Sequence, residues 1–459
     1  MDWAGASAAA LLVFAATVVG VLWRPLGVHE AWVAVAGAVA MAVAGSVDWL
    51  RVASIVHETA PVLVFLAGVL VLASVADRAG VFAWAANWTA RMAGSSVRRL
   101  FVALYVLGAV TTVFFSLDTT AVVLAPLVVR LLRRSRVDPL PFVYLSVHVA
   151  NVTSLLLPVS NLTNLLVQAR FRLPFWEFAR VMALPALLAG AADFGMLYVL
   201  FRGRLEGAVD TQDLQLQARA LGRSPFLRWS LGIVVATIAG FGVAGWLGAP
   251  LWPVAVAGGA ASALLALARR EVLPGFFVRS ISWGVIPFVV GLFVVMDGFR
   301  ATEAGRALTA AAFLPGAAAS ARPAAGGAWS QEAGMGMAGG LSSAAGDAVS
   351  LGRLAAVTAV GSNLINNIPM TLLGTGALAV PPGGYGPPDR LAPYALLLGV
   401  NVGPLLTVVG SLATVLTLAL FQQRGINVGG WEYLKTGLLV MPPTLAAAYL
   451  GLLASTWWL

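Results

Sequence analysis

The sequence contains no cysteine, and only 10% of its 459 residues are charged. The absence of cysteine excludes disulfide bonds, thiolate metal sites and cysteine nucleophiles. A soluble globular chain is about 25% charged, whereas 60% of this chain is hydrophobic. One water-soluble core cannot bury so many apolar side chains under so few polar ones. The composition excludes a soluble enzyme, a disordered chain and a nucleic-acid-binding protein, and it indicates an all-α polytopic membrane protein.

Signatures of catalytic chemistry are also missing. The three histidines, His29, His57 and His148, show no metal-ligand spacing, and we interpret them as structural residues. The chain has no HExxH motif, no Ser/His/Asp cluster and no GxxxxGK[ST] loop. We therefore expect no enzyme activity, no cofactor and no metal site, and any ATP drive has to come from a partner chain.

Apolar runs long enough to cross a bilayer recur along the chain. A spanning helix needs about 20 apolar residues, with allowance for tilt. We predict about 10 transmembrane helices from these runs, and their lack of alternating polarity argues against a β-barrel. The runs fall roughly at 6–23, 30–47, 61–76, 141–170, 174–201, 230–248, 251–268, 281–297, 391–420 and 433–456.

Two further apolar stretches carry polar interruptions. Residues 100–132 are broken by SLDTT at 116–120, and residues 349–380 are broken by SNLINNIP at 362–369. A polar or proline-bearing break at membrane depth is tolerated only where it is buried in protein or lines a cavity. We interpret both stretches as re-entrant hairpins, which enter and leave on one side of the membrane.

The distribution of arginine supports a topology that contains both hairpins. With the hairpins in place, most of the 28 basic residues fall in loops on one side, as the positive-inside rule requires. This arrangement predicts a cytoplasmic (inner) membrane protein with both termini outside. It predicts two repeats, at 1–201 and 230–459, joined by a polar cytoplasmic linker at 202–229. The Gly- and Ala-rich residues 315–348 receive no assignment.

An internal repeat relates the two halves. When the chain is shifted by 250 residues, NVTSLLLPVSNLTNLL at 151–166 aligns with NVGPLLTVVGSLATVL at 401–416, with 7 of 16 positions identical. The predicted topology gives the two copies opposite orientations. Inverted repeats with interrupted helices are typical of secondary transporters, and they place the binding site near the bilayer midplane.

Four breaks should converge there: the two hairpin tips and two unwound helix centres at 158–164 and 407–414. Broken helices expose backbone N–H and C=O groups that hold an ion or a polar solute without charged side chains. Helix packing by small polar residues is the alternative explanation. The candidate substrate- and ion-binding residues are Asp118, Thr119, Thr120, Asn151, Ser160, Asn161, Asn164, Asn363, Asn366, Asn367, Asn401, Thr407, Ser411 and Thr414.

Asp118 is the strongest single candidate for ion coupling. A carboxyl group at membrane depth is energetically expensive and indicates a functional site. Burial favours its protonated form, which suits proton coupling; capping of the hairpin's second helix is the alternative. Asp193 also lies inside an apolar run. It matches no repeat element, so a helix contact and a functional role remain equally open.

At these motifs the sequence resembles the arsenical pump family of arsenite and antimonite antiporters, within the ion transporter superfamily. The resemblance runs over almost the whole chain. It is carried by LDTTAVVLAP (117–126), SLLLPVSNLTNLL (154–166), SNLINNIPMTLLG (362–374) and GPLLTVVGSLATVLTLALFQQRGINVGGWEYLKTGLLVMPP (403–443). The resemblance implies two inverted repeats, each with a hairpin and an unwound helix. It also implies a scaffold through which members of the wider superfamily often form dimers.

The chain departs from the family pattern at several of these positions. The family tends to have Asn-Asp-Gly at the first hairpin tip, where this chain has Leu117-Asp118-Thr119. Asn151 and Asn401 stand where the family tends to have Asp, and Leu405 stands where it often has Lys. Two carboxylates and one cation are therefore missing. Arsenite is a neutral trihydroxide near pH 7, so its binding does not need those charges.

The resemblance implies a secondary transporter that exports arsenite and antimonite, with protons as the coupling ion. The alternative is an Na⁺- or H⁺-coupled carrier of another inorganic or organic anion in the same superfamily; a passive channel is a third reading, distinguished by flux that ionophores do not change. The expected partners are the lipid bilayer, the solute and protons or Na⁺, with no nucleic acid. A homodimer and a soluble ATPase partner remain open.

Overall fold

The computed structural model describes residues 3–23, 28–132, 137–208, 224–313, 348–378 and 389–455. Every named element within these ranges is helical, which confirms the all-α prediction. The helices are α1 (Trp3–Trp23), α2 (Glu30–Val43), α3 (Trp49–Arg78), α4 (Val81–Ala93), α5 (Val97–Phe114), α6 (Leu117–Leu132), α7 (Leu140–Thr153), α8 (Leu162–Phe171), α9 (Phe175–Phe201), α10 (Pro225–Trp246), α11 (Trp252–Ala268), α12 (Gly275–Arg279), α13 (Val285–Ala301), α14 (Glu303–Phe313), α15 (Ala348–Ile365), α16 (Asn367–Ala377), α17 (Ala392–Val402), α18 (Leu412–Gln422) and α19 (Gly430–Ser455).

Helix length and composition identify the candidate membrane spans. Among the described residues, α3, α5, α9, α10, α15 and α19 are long and apolar enough to cross a bilayer. The pair α13 and α14 adds a seventh span if the 96° bend between them lies within one crossing. Shorter apolar helices of 10–17 residues include α2, α7, α11 and α18. The chain is therefore a polytopic membrane protein, and the number of about ten crossings stays a prediction.

Helices from the first half of the chain pack against helices from the second half. The pairs are α2 with α13, α3 with α11, and α9 with α19. Glycine residues let α3 and α11 approach each other closely. A Cβ added to Gly68 would lie 2.5 Å from the Ala255 carbonyl, and one on Gly259 would lie 2.6 Å from the Gly68 oxygen. Small residues of this kind let membrane helices pack backbone to backbone.

Two helical hairpins are present where the sequence predicts them. Helices α5 and α6 fold back on each other after Phe115 and Ser116, so that Gly108 faces Leu124. Helices α15 and α16 do the same at Asn366. The first helix of each hairpin has 18 residues, which corresponds to about 27 Å at 1.5 Å per residue. Each hairpin is therefore long enough to reach most of the way across the hydrocarbon layer.

The residues between the predicted span at 61–76 and the first hairpin include the amphipathic helix α4, whose apolar face packs on α5. Other predicted regions lie outside the described ranges. Most of the predicted linker lies outside the described residues, at 209–223, and so do 314–347 and 379–388. The division into repeats at 1–201 and 230–459 stays a prediction.

Candidate functional site

Both predicted unwound centres are real interruptions of helix. Helix α7 ends at Thr153, and α8 begins at Leu162 after a 3-10 turn at Pro158–Ser160. Helix α17 ends at Val402, and α18 begins at Leu412 after two 3-10 turns at Gly403–Leu405 and Val408–Gly410. We call these segments, 154–161 and 403–411, the first and second break.

The residue that caps each restarted helix has the same conformation in both breaks. Asn161 precedes α8 with φ −151° and ψ 141°, and Ser411 precedes α18 with φ −141° and ψ 151°. The Asn161 side-chain oxygen accepts from the Thr163 N–H at 3.1 Å, and the Ser411 hydroxyl accepts from the Thr414 N–H at 3.1 Å. These caps satisfy backbone donors that a buried helix start would otherwise leave unpaired.

Asn401, at the end of α17, joins the second half of the chain to the first break. Its side-chain oxygen accepts from Asn161 Nδ2 at 2.9 Å and from the Thr163 hydroxyl at 2.7 Å. Its side-chain nitrogen donates to Asn164 Oδ1 at 2.7 Å. All four side chains are almost completely buried. Thr163 lies within the predicted break at 158–164, although it is not among the candidate residues.

Asn151 makes the corresponding connection from the first half of the chain to the second break. It lies at the end of α7, and its Nδ2 donates to the Thr414 hydroxyl at 3.2 Å. Thr414 in turn lies 2.9 Å from the Ser411 hydroxyl. In the 250-residue shift, Asn151 corresponds to Asn401 and Thr414 to Asn164. Equivalent positions thus make reciprocal contacts, and the structure brings six of the predicted residues together here.

The tip of the second hairpin is hydrogen-bonded to the second break. Asn363 Nδ2 donates to the Gly403 carbonyl at 2.8 Å, and Asn363 Oδ1 accepts from the Thr407 hydroxyl at 2.7 Å. Asn366 Nδ2 donates to the Val409 carbonyl at 3.0 Å. Three of the predicted residues, Asn363, Asn366 and Thr407, therefore hold the tip and the break together.

Asn366 and Asn367 have different roles at that tip. Asn366 turns the hairpin with φ 75°, in the region that disfavours side chains, and its Oδ1 accepts from the Ile368 N–H at 3.3 Å. Such strain persists only where the surroundings enforce it. Asn367 is 3% exposed, and its side chain has no hydrogen-bond partner among the described residues. Its amide is therefore available to a solute.

The tip of the first hairpin is organised by hydroxyl groups. Ser116 Oγ accepts from the Thr119 N–H at 3.1 Å, which caps α6, and Thr120 Oγ1 lies 2.8 Å from Thr112 Oγ1 across the hairpin. The Ser160 hydroxyl donates to the Val113 carbonyl at 2.8 Å, which ties the first break to the hairpin. Ser116 thus performs the capping that the sequence offered as the alternative role of Asp118.

Asp118 lies in the first turn of α6 and is partly exposed. Within the described ranges its carboxylate has no hydrogen bond and no ion pair. The adjacent residue, Leu117, packs against Ala150 and Ala413, the neighbours of Asn151 and Thr414. The carboxylate of Asp118 therefore belongs to the same region as the second break.

Each hairpin packs against a helix from the other half of the chain. Helix α6 of the first hairpin packs on α18, which follows the second break. Helix α16 of the second hairpin packs on α8, which follows the first break. The four interruptions therefore surround one region, whose named polar groups are amides, hydroxyls, backbone carbonyls and the Asp118 carboxylate. No group of three potential metal ligands occurs in the part of the chain that is described.

A second cluster of polar side chains lies on the same helix as Asn151, one turn earlier. His148 Nδ1 is 2.8 Å from Asp193 Oδ1, and the Tyr105 hydroxyl is 2.9 Å from Asp193 Oδ2. His148 and Asp193 are completely buried. Asp193 makes a helix contact, since it joins α9 to α5 and α7, and the functional role that the sequence left open stays open. Its pairing with His148 was missed because the two residues are 45 positions apart.

Comparisons with known proteins agree with this architecture. A sequence model described as "Citrate transporter" matches residues 12–401. An arsenical pump membrane protein of Escherichia coli is 30% identical over 442 residues, which is 94% of this chain and 95% of that protein. The arsenical pump membrane protein of Yersinia enterocolitica is 28% identical over 452 residues, with the same shares of each chain. The crystal structure of the Alcanivorax borkumensis YdaH transporter, whose title describes an unusual topology, aligns with 89% of this chain and 87% of its own. Its TM-score is 0.50 at 16% identity.

Proposed function

This chain belongs to the citrate transporter family, and we propose from that premise that it is a secondary transporter exporting arsenite and antimonite. Membership of a transporter family, together with six or more apolar helices, makes the chain a membrane transporter. The cargo, the direction and the cytoplasmic membrane are our proposal. The proposed site is the region enclosed by the two breaks and the two hairpin tips.

The observation that carries this proposal is the largely uncharged lining of that region. The described hydrogen bonds around the breaks use asparagine amides, Ser and Thr hydroxyls and backbone carbonyls. A neutral trihydroxide offers three O–H donors and oxygen acceptors, which such groups match without any cation. The chain has no cysteine. Trivalent arsenic bonds tightly to thiols, so an oxygen- and amide-lined site favours release and turnover.

The relatives support the same cargo. Those named arsenical pump membrane protein match 94% of this chain, including all four breaks. We propose proton antiport as the driving mode, with Asp118 as a protonatable carboxyl at the edge of the site. A charged group that is partly shielded from water at membrane depth is costly unless it binds a proton or a partner.

An Na⁺- or H⁺-coupled anion carrier is the second candidate, and one observation favours it. The family model is described by the name citrate transporter. An organic trianion needs compensating cations, however, and the described hydrogen bonds at the four breaks involve no Arg or Lys side chain. The uncharged lining therefore fits a neutral solute better.

Transport assays with everted membrane vesicles distinguish these candidates. Vesicles are offered arsenite, antimonite, sulfate, succinate and citrate, with the pH gradient and Na⁺ varied separately. We expect uptake of arsenite and antimonite that depends on the pH gradient. Citrate or succinate uptake without arsenite uptake would instead establish the second candidate, and flux unchanged by ionophores would indicate a channel.

A matched pair of variants links transport to the breaks. Asn401→Ala removes the side chain that joins α17 to Asn161 in the first break and to Thr163 and Asn164 in the first turn of α8, and we expect arsenite uptake to fall at least tenfold. Ser54→Ala removes an exposed hydroxyl that bonds Glu58 on α3, and it should leave uptake unchanged.

A homodimer and a soluble ATPase partner stay part of the proposal, to be checked by the mass of the purified protein and by its activity without ATP.

A further inference from the structure

His148, Asp193 and Tyr105 form a buried cluster that the proposed solute site does not use. The three residues lie on α7, α9 and α5, and they are 0%, 0% and 7% exposed. The histidine Nδ1 and the tyrosine hydroxyl bind opposite oxygens of the carboxylate, at 2.8 and 2.9 Å. The tyrosine hydroxyl also lies 3.0 Å from the Gly190 carbonyl. The cluster therefore connects the first hairpin, the first broken helix and α9.

The net charge of this cluster depends on whether it holds a proton. With a neutral imidazole, the buried cluster carries the single negative charge of Asp193; with an imidazolium it is neutral overall. A buried charge is expensive unless it is compensated. Among the described residues, His148 is the only ion-pair partner of Asp193. One proton on the histidine thus converts an uncompensated buried anion into an ion pair.

Other titratable groups nearby do not supply this compensation. The closest are the rings of Tyr144 on α7 and Tyr433 on α19, whose centroids are 6.0 and 6.4 Å from that of the His148 ring. Neither forms a described hydrogen bond with the cluster. Farther groups on the elements packed against α7 and α9 are Arg98, Arg99, Asp118, Arg130, Glu177, Arg180, Tyr198, Arg202, Arg204, Arg228, Tyr394, Glu432, Lys435 and Tyr449.

The free ends of two side chains connect the cluster to the solute site. His148 Nε2 is buried without a hydrogen-bond partner, and so is Asn151 Oδ1. Residues three apart on a helix are neighbours on one face, with Cβ atoms about 5–6 Å apart. Buried polar atoms without partners are rare in native proteins and call for an explanation. Both free atoms belong to α7, and the nitrogen of Asn151 already binds the Thr414 hydroxyl at the start of α18.

We propose that the His148–Asp193 pair is a proton-binding site of the transport cycle, and this rests on the proposed function. A proton from water binds the lone pair of His148 Nε2, forming one N–H bond, while Nδ1–H remains hydrogen-bonded to Asp193. The same N–H bond breaks when the proton is released on the other side of the membrane. Helix α7 relays the change, because it carries both His148 and Asn151, whose amide contacts Thr414 beside the second break.

Protonation of His148 can be measured without any substrate. The chain has only three histidines, so His29→Gln and His57→Gln together leave His148 as the sole histidine. In the purified full-length protein with ¹⁵N-histidine, we expect the His148 ring signals to change between neutral and protonated forms as the pH is varied from 5 to 9. Asp193→Asn in this background should change the pH dependence of these signals, because the carboxylate that pairs with His148 is lost. A ring that stays in one form throughout would overturn the proposal.

Transport in proteoliposomes tests whether the pair couples. In Asp193→Asn, we expect arsenite uptake driven by a pH gradient to fall at least tenfold, while arsenite counterflow without a gradient stays within about twofold. Asp138→Asn, which alters a partly exposed carboxylate paired with Arg204, should change neither rate. Gradient-driven uptake at the wild-type rate in Asp193→Asn would refute the coupling role. Absence of arsenite counterflow in the wild type would instead refute the proposed cargo and leave the histidine titration as the test.

Tyr105→Phe supplies a milder variant should Asp193→Asn fail to fold. It removes only the hydroxyl that donates to Asp193 and leaves the contact between Asp193 and His148 in place. We expect gradient-driven transport to persist with a pH dependence that differs from that of the wild type. A purely structural role predicts a lower melting temperature with an unmoved pH profile, and that result would count against the proposal.

Discussion

At the scale of single residues, the structure separates asparagines that build the site from those with free groups. Asn161 and Asn164 use both ends of their amides in hydrogen bonds with the chain, and Asn366 does the same at the hairpin tip. Asn367 has a buried amide without a described partner. Substitutions at these positions should therefore differ in their effects on solute binding and on stability.

For Asn367→Ala, we expect the apparent KM for arsenite to rise while the protein stays folded and monodisperse. Loss of an amide that binds the solute costs about 1–3 kcal/mol, which is roughly 5- to 150-fold in affinity. Asn161→Ala should lower the melting temperature as well, because it removes one hydrogen bond to Asn401 and leaves the Thr163 N–H without its cap. An unchanged KM in folded Asn367→Ala protein would place the solute elsewhere.

Asp118→Asn tests the partly exposed carboxyl of the site. The variant cannot release a proton from this position, so we expect gradient-driven export to be abolished while exchange at equilibrium remains partly intact. Both rates are measured in the same proteoliposomes. Undiminished gradient-driven export would assign coupling to the His148–Asp193 pair alone.

At the scale of elements, the hairpins and the broken helices form interlocked pairs. Each hairpin's second helix packs on the restarted helix of the opposite half, α6 on α18 and α16 on α8. Asn363 and Asn366 of the second hairpin donate to carbonyls of the second break, whereas the Ser160 hydroxyl of the first break donates to a carbonyl of the first hairpin. This arrangement satisfies irregular backbone by burial within protein, as membrane depth requires.

Gly403→Ala tests the close contact between the second hairpin and the second break. An added Cβ would lie 2.5 Å from both the Ala359 carbonyl and the Ser362 hydroxyl. Since backbone cannot yield cheaply, we expect a destabilisation of about 1–3 kcal/mol and a loss of arsenite binding. Gly232→Ala on α10 is the control. Its Cβ meets nothing within 4 Å, so helix propensity should make it neutral or stabilising by up to about 1 kcal/mol.

At the scale of the whole molecule, the reciprocal contacts of Asn151 and Asn401 agree with a two-fold relation between the halves. The sequence predicts that these halves have opposite orientations in the membrane. The ends of α8 and α18 report on this directly, because the two helices follow equivalent breaks. Arg170 and Gln422 lie at those ends and are exposed.

Cysteine labelling measures the orientation without interference, since the chain has no native cysteine. We expect a membrane-impermeant maleimide to label Arg170→Cys in intact cells. Gln422→Cys should react only in inverted vesicles. If both residues react from the same side, the two repeats have the same orientation and the predicted inverted topology is wrong.

The class of protein and the positions of the helix interruptions follow from the sequence alone. Apolar runs and scarce charge require a helical membrane protein because lipid offers backbone groups no hydrogen-bond partners. Polar and proline-bearing segments mark the breaks for the same reason. The sequence therefore predicts both hairpin turns and the breaks, at 158–164 and 407–414, close to the observed 154–161 and 403–411. The repeat identified Asn151, Asn161, Asn401 and Ser411 as equivalent pairs.

Which of these polar groups have hydrogen-bond partners and which are free depends on contacts that exist only in the folded structure. Asn161 and Asn367 look alike in sequence, yet one is bound on both ends and the other is not, because their partners come from distant helices. The pairing of His148 with Asp193 has the same origin. Helix periodicity fixes which residues share a face of one helix, but packing between helices determines what that face meets.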